Sequence, residues 1–162
     1  MKFLSTLLIL SSLLFSCNSP AQKSKAVEKE TFKVTKTDAE WKAQLSPAAY
    51  NVLRHEGTER AFTSALNDNH KTGTYVCAGC NTPVFESKYK FNSGTGWPSF
   101  DRPIEGNVAF ATDTKIGYTR TEAHCTTCGG HLGHVFNDGP KDTTGERHCI
   151  NGVALKFIPE KK

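Results

Sequence analysis

A chain of 162 residues, 37% hydrophobic with 13 glycines and 7 prolines, has room for one core-bearing domain, and no stretch repeats at a solenoid period. Core-forming content is modest for an ordinary domain, so a structural metal would help to stabilise it. The net charge of +4 comes from cations scattered along the chain rather than gathered in a tract, which sets nucleic-acid binding aside.

The N-terminus reads as an export signal: Lys2 gives a short positive start, Phe3 to Phe15 is an apolar run interrupted by Ser and Thr, and Ser16-Cys17 closes it. The run is too short to span a hydrocarbon core of about 30 Å. Leu14-Phe15-Ser16-Cys17 resembles a bacterial lipobox, which makes residues 1–16 a cleaved leader and Cys17 an acylated N-terminus. An uncleaved anchor and a secretory peptide cut elsewhere are the alternatives. Asn18 is not the Asp that retains a lipoprotein at an inner membrane, so the expected location is the cell envelope, on the periplasmic face of the outer membrane. The lipid would make the membrane a partner. Residues 17–32, rich in Ser, Lys, Gln and Glu, read as a flexible tether.

Thr37-Asp-Ala-Glu40 is a capping-box pattern, and Trp41 and Leu45 lie four apart, so a short helix is predicted from about Asp38 to Leu45. Ser46-Pro47 starts a second helix, which carries Tyr50, Val52 and Leu53 and for which Gly57 is the expected stop. From Thr74 onward, short β-branched and aromatic runs alternate with turn residues. They predict strands at 74–77, 83–86, 108–112, 115–122, 132–136 and 153–158. No long helical period intervenes to build a parallel sheet, so the expected fold is mainly β (α+β), antiparallel strands with short N-terminal helices. The domain is placed at 33–158 and a tail at 159–162.

Of the six cysteines, four fall in two pairs, Cys77-x-x-Cys80 and Cys125-x-x-Cys128, with 44 residues between the pairs. Each tight turn at a strand end aims two sulfurs at one point, and four thiolates complete a closed tetrahedral zinc site. Two disulfides are the rival in an exported protein, and a mixed set drawn from Cys125, Cys128, His131 and His134 is a third option. Cys149 stands apart in a predicted strand, where Arg147, Cys149 and Asn151 share one face. A nearby guanidinium favours a thiolate nucleophile, whereas an isolated cysteine is as readily a small core residue. His131-Leu-Gly-His134-Val-Phe136 supplies two groups that can move protons near neutral pH. Asn92 to Phe100 is glycine-rich around Trp97, an aromatic wall suited to a thioether.

Gly-Trp-Pro-Ser-Phe (96–100), His-Leu-Gly-His-Val-Phe (131–136), Arg-His-Cys-Ile-Asn (147–151) and the two Cys pairs together resemble a B-type methionine sulfoxide reductase. The likeness spans roughly residues 33–158 and includes Leu45-Ser-Pro, Glu56-Gly-Thr-Glu and Val153-Ala-Leu-Lys-Phe. It implies two antiparallel sheets, one structural zinc remote from the chemistry, and reduction of methionine-R-sulfoxide, free or in proteins, by a thioredoxin-like or small-thiol reductant. By the same resemblance Cys149 is the nucleophile, His131 and His134 bind and protonate the sulfoxide oxygen, and Asn151 is the pocket amide. Trp97 packs on the substrate methyl, with Phe136 and Arg147 beside it. His148 stands where an aromatic is common, and Thr95 where many members carry a resolving cysteine. With Cys17 on lipid and four cysteines on zinc, Cys149 would have no partner thiol in its own chain. A monomer is expected. The competing readings are a Cys-His-Asn acyl-transfer hydrolase, which lacks a papain-like nucleophile signature, and a non-enzymatic zinc-stabilised envelope adaptor.

Overall fold

In the computed structural model, residues 31–161 are described; the leader, Cys17 and the tether as far as residue 30 lie outside the described residues. Thr37 caps α1 (Asp38–Gln44) through the capping box: its hydroxyl accepts from the Glu40 N–H, and the Glu40 carboxylate accepts the Thr37 N–H at 2.8 Å. The one buried residue of this helix is Trp41, whose ring lies under the cations of Lys36 and Arg54. Ser46 caps α2 (Pro47–His55), whose Ala49, Val52 and Leu53 are buried. Its stop is not Gly57. Glu56 takes the left-handed conformation (φ 56°) and its carboxylate pairs with Lys115. Gly57 serves closeness instead, because a Cβ there would come within 2.1 Å of the Asn51 side chain.

Nine antiparallel strands form two sheets among the described residues. The smaller has β1 (Gly73–Cys77) between β2 (Pro83–Glu86) and β9 (Leu155–Pro159). The larger runs β3 (Lys90–Phe91), β4 (Ser99–Phe100), β8 (Arg147–Ile150), β7 (His131–Phe136), β6 (Arg120–Cys125) and β5 (Val108–Asp113). Tyr75 and Phe85 of the smaller sheet meet Phe100 of the larger, with ring centroids 5.0 and 4.4 Å apart, and all three are fully buried.

The predicted strand at 115–122 is displaced. Residues 114–119 form the turn of the β5–β6 hairpin: the Asp113 carboxylate accepts the Lys115 N–H, and Gly117 takes φ 85°. The strand begins at Arg120 and runs to Cys125. The run at 153–158 starts as a one-turn 3-10 helix (Gly152–Ala154) before β9, which continues through Pro159. At the other end Phe32 lies close over Gly129 and edge-on to His124, so the chain is engaged with the β6–β7 turn from that residue.

Candidate active site and metal centre

The ends of β1 and β6 deliver the two Cys-x-x-Cys turns to one place. The sulfurs of Cys77, Cys80, Cys125 and Cys128 all lie within 4.8 Å of one another, with Cys77–Cys128 at 3.7 Å and Cys80–Cys125 at 3.5 Å. A tetrahedral ion with metal–sulfur bonds of about 2.3 Å needs sulfurs about 3.8 Å apart, so this cluster can hold one metal ion. Hydrogen bonding among the sulfurs drives their titration apart: Cys125 chiefly pushes Cys77 up and Cys80 far down, while Cys128 takes Cys125 down to about 6. A bound cation lets all four ionise together. The first helix pair braces the turns, Gln44 donating to the Gly79 carbonyl and Arg54 to that of Cys128.

Cys149 lies on β8 directly opposite His134 of β7 and Ser99 of β4. Its sulfur opens into a pocket of about 150 Å³. Trp97, His134, Phe136 and Asn151 line this space, together with Thr58, Arg120 and Gly133. None of the four clustered cysteines borders it. A larger cleft, about 350 Å³ around Lys71, Lys88 and Lys90, holds no cysteine. Gly133 is required by the strand pairing, since a Cβ there would lie 2.1 Å from the Cys149 carbonyl oxygen.

Each wall is anchored. The Trp97 indole N–H donates to the Glu59 carbonyl at 3.1 Å. Asn151 accepts the Glu59 N–H and donates to the Leu132 carbonyl, while the Glu59 carboxylate receives the Gly152 and Val153 N–H groups. Segment 58–59 is thereby tied to the residues that follow Cys149. Thr95 places its hydroxyl 4.0 Å from the Cys149 sulfur and 2.8 Å from Ser93, which in turn meets the buried Ser99 at 2.7 Å.

The electrostatics favour a neutral site. Burial pushes the Cys149 thiol up, opposed by the Arg147 charge and by hydrogen bonds from Thr95 and Arg147. The guanidinium therefore does not make Cys149 a resting thiolate: it is committed to Asp138 through two bonds of 2.8 and 2.9 Å and lies over the Phe136 ring. Burial also pulls His134 down, against the Asp113 carboxylate 2.7 Å from its Nε2. Asp113 itself is held well below the usual carboxylate range by the Lys115 N–H, by His134 and by Arg120. With Asp113 ionised, Nε2 carries the proton of a neutral His134 and Nδ1 is the acceptor.

The sequence-predicted residues thus divide into two groups. Cys149, His134, Asn151, Trp97 and Phe136 converge on the pocket, whereas His131 and Arg147 stand outside it. His131 is buried behind His134, ring centroids 5.2 Å apart, with Nδ1 on Glu122 at 2.6 Å. Sequence reasoning missed Thr58, Arg120, Asp113, Glu122 and Glu59. The Glu56-Gly-Thr-Glu motif contains Thr58 and Glu59 but gave them no role; Asp113, Arg120 and Glu122 carry no local signal, and only the β5–β6–β7 pairing brings Asp113 and Arg120 to His134.

A half-buried thiol opposite a histidine, beside an aromatic wall and apart from a four-cysteine cluster, makes a candidate cysteine-based active site on an antiparallel β fold. The SelR domain model matches residues 45–159. The peptide methionine sulfoxide reductase MsrB of Leptospira interrogans is 52% identical over 130 residues, 80% of this chain and 98% of its own. That of Thiobacillus denitrificans is 54% identical over 126 residues, covering 77% and 95%. A solved Mis18 "Yippee-like" domain aligns with 57% of the chain at 16% identity and a TM-score of 0.46. The chain belongs to the B-type methionine sulfoxide reductase family, oxidoreductases that act on sulfur.

Proposed function

We propose that this enzyme reduces methionine-R-sulfoxide, free or in proteins, through a sulfenic acid on Cys149, with an outside thiol as reductant and a structural zinc on Cys77, Cys80, Cys125 and Cys128. The carrying observation is Cys149 facing His134 in a pocket walled by Trp97.

The neutral site supports a balanced first step. Reduction needs one proton on the sulfoxide oxygen, and a Cys149 held as thiol by burial already brings it. The Cys149 sulfur attacks the sulfoxide sulfur as the oxygen takes up the thiol proton; the hydroxyl then passes to the Cys149 sulfur as the S–O and S–S bonds at the substrate sulfur break, which releases the thioether and leaves Cys149 as S–OH. The acceptor Nδ1 of His134 can take the thiol proton and return it to the oxygen, while Asp113 holds the ring in that tautomer. His131, backed by Glu122, fixes the position of His134. An outside thiol then attacks the sulfenic sulfur and releases water, and a second thiol resolves the mixed disulfide. Thioredoxin-like proteins and small thiols both satisfy this chemistry.

Selectivity follows from placement. With the S-methyl on Trp97 and the oxygen at His134, the opposite epimer cannot satisfy both while presenting sulfur to Cys149. Zinc at the four thiolates would supply folding energy and no chemistry. The lipobox reading places the enzyme at the envelope as a monomer repairing oxidised proteins there. One equivalent of substrate without reductant should leave one methionine per chain and a dimedone adduct on Cys149. A disulfide from Cys149 to one of the zinc cysteines would refute the scheme.

A further inference from the structure

Phe62 is 71% exposed, yet its backbone holds φ 64°, a left-handed conformation that a bulky aromatic seldom adopts. Two contacts fix it there. Its N–H donates to the Gly96 carbonyl at 2.8 Å, and its ring lies where a Gly96 Cβ would come within 2.7 Å. Gly96 is flanked by Thr95, 4.0 Å from the Cys149 sulfur, and by Trp97 of the pocket wall. One side of the ring therefore packs on the loop that carries Thr95 and Trp97, and the rest faces solvent. A single exposed aromatic is ordinary, but one kept in a strained backbone against the reactive loop is a feature the fold maintains at a cost.

The pocket itself, about 150 Å³, is smaller than the 300–1,000 Å³ typical of sites that enclose a whole small molecule. It takes one side chain, so the main chain and neighbouring residues of a protein substrate stay on the rim. The Tyr118 ring, 59% exposed, stacks with the guanidinium of the pocket residue Arg120.

We infer that Phe62 is a subsite for an apolar side chain flanking the oxidised methionine in a polypeptide substrate, with Tyr118 extending the apolar rim. This rests on methionine sulfoxide reduction at Cys149. The partner is a peptide segment rather than the reductant, because the ring packs on Gly96, next in the chain to Trp97, the wall that would hold the substrate methyl.

The test compares kcat/KM, with dithiothreitol as reductant, for N-acetyl-methionine-R-sulfoxide amide and for peptides carrying Leu or Ser on either side of the sulfoxide. The full chain should prefer Leu flanks over Ser by roughly fivefold to tenfold, the size expected for covering part of one aromatic ring. Phe62→Asn, which tolerates the left-handed backbone, should bring that ratio to about one. Equal rates on Leu and Ser peptides in the unaltered chain overturn the inference while leaving the reductase reading intact, and need no variant. A Phe62→Asn variant that keeps the ratio but loses turnover with thioredoxin assigns the ring to the reductant and also overturns it. No turnover of the capped amino acid or of any peptide sinks both readings.

Discussion

Thr95→Cys places a second thiol beside Cys149, able to resolve its sulfenic acid within the chain. The Thr95 hydroxyl is 4.0 Å from the Cys149 sulfur, and a disulfide needs about 2.05 Å, a closure of about 2 Å within reach of side-chain rotation on a glycine-flanked loop. The new bond would join residues 54 apart in sequence. Chain-entropy loss for such a loop stabilises the folded state by about 4 kcal/mol, an upper value because engineered bridges carry strain. For a domain of this size the oxidised variant should melt up to on the order of 10 °C above its reduced form. The assay is one equivalent of methionine sulfoxide without reductant, followed by thiol counting, dimedone labelling and a melting scan. The unaltered chain should give labelled Cys149 and no Tm rise. The variant should give an unlabelled 95–149 disulfide, the higher Tm, and faster thioredoxin-dependent recycling. A variant that still labels at Cys149 after turnover refutes the claim that the loop delivers position 95 to the reactive sulfur.

Cys125→Ser removes one corner of the cluster and leaves three thiols without their fourth ligand; bound metal and Tm should fall together, by an amount in the range of several kcal/mol expected for a structural zinc. Metal-free protein with two disulfides, full activity and an unchanged Tm would contradict the zinc assignment. His148 is fully buried between Phe85 and Phe110, its Nδ1 without a hydrogen-bond partner, and burial holds its folded pKa below the usual value. Because the unfolded chain binds that proton more readily, this residue subtracts stability as pH falls from about 6.5 through the lower folded value. His148→Phe should gain about 1 kcal/mol and flatten that part of the stability–pH curve, measured by urea unfolding between pH 5 and 7. An unchanged slope would assign it to other groups.

Elements with local signals were legible in the sequence. The Thr37 capping box, Pro47 at the helix start and the alternating run before Cys77 each encode their structure within a few residues. The β5–β6 hairpin was not, because Lys115, Ile116 and Tyr118 have strand-like chemistry while Gly117 and the Asp113–Lys115 contact set the turn. At the site, glycine-rich motifs and the lone Cys149 marked the reactive loop, and spacing marked the cluster. What spacing could not give was the neutral state of the thiol: Arg147 faces the same strand but is taken by Asp138, a pairing across the 137–146 turn. The exposed, strained Phe62 was equally invisible, since its meaning depends on Gly96 being opposite.

The central claim is that Cys149, held opposite His134 beside Trp97, reduces one sulfoxide epimer. The most direct measurement is turnover of dabsylated methionine-R-sulfoxide and methionine-S-sulfoxide, each with dithiothreitol, by the purified domain and by Cys149→Ser. The account predicts reduction of the R epimer alone, and no turnover by a folded Cys149→Ser variant. Comparable rates on both epimers, or undiminished activity without the Cys149 sulfur, would contradict it.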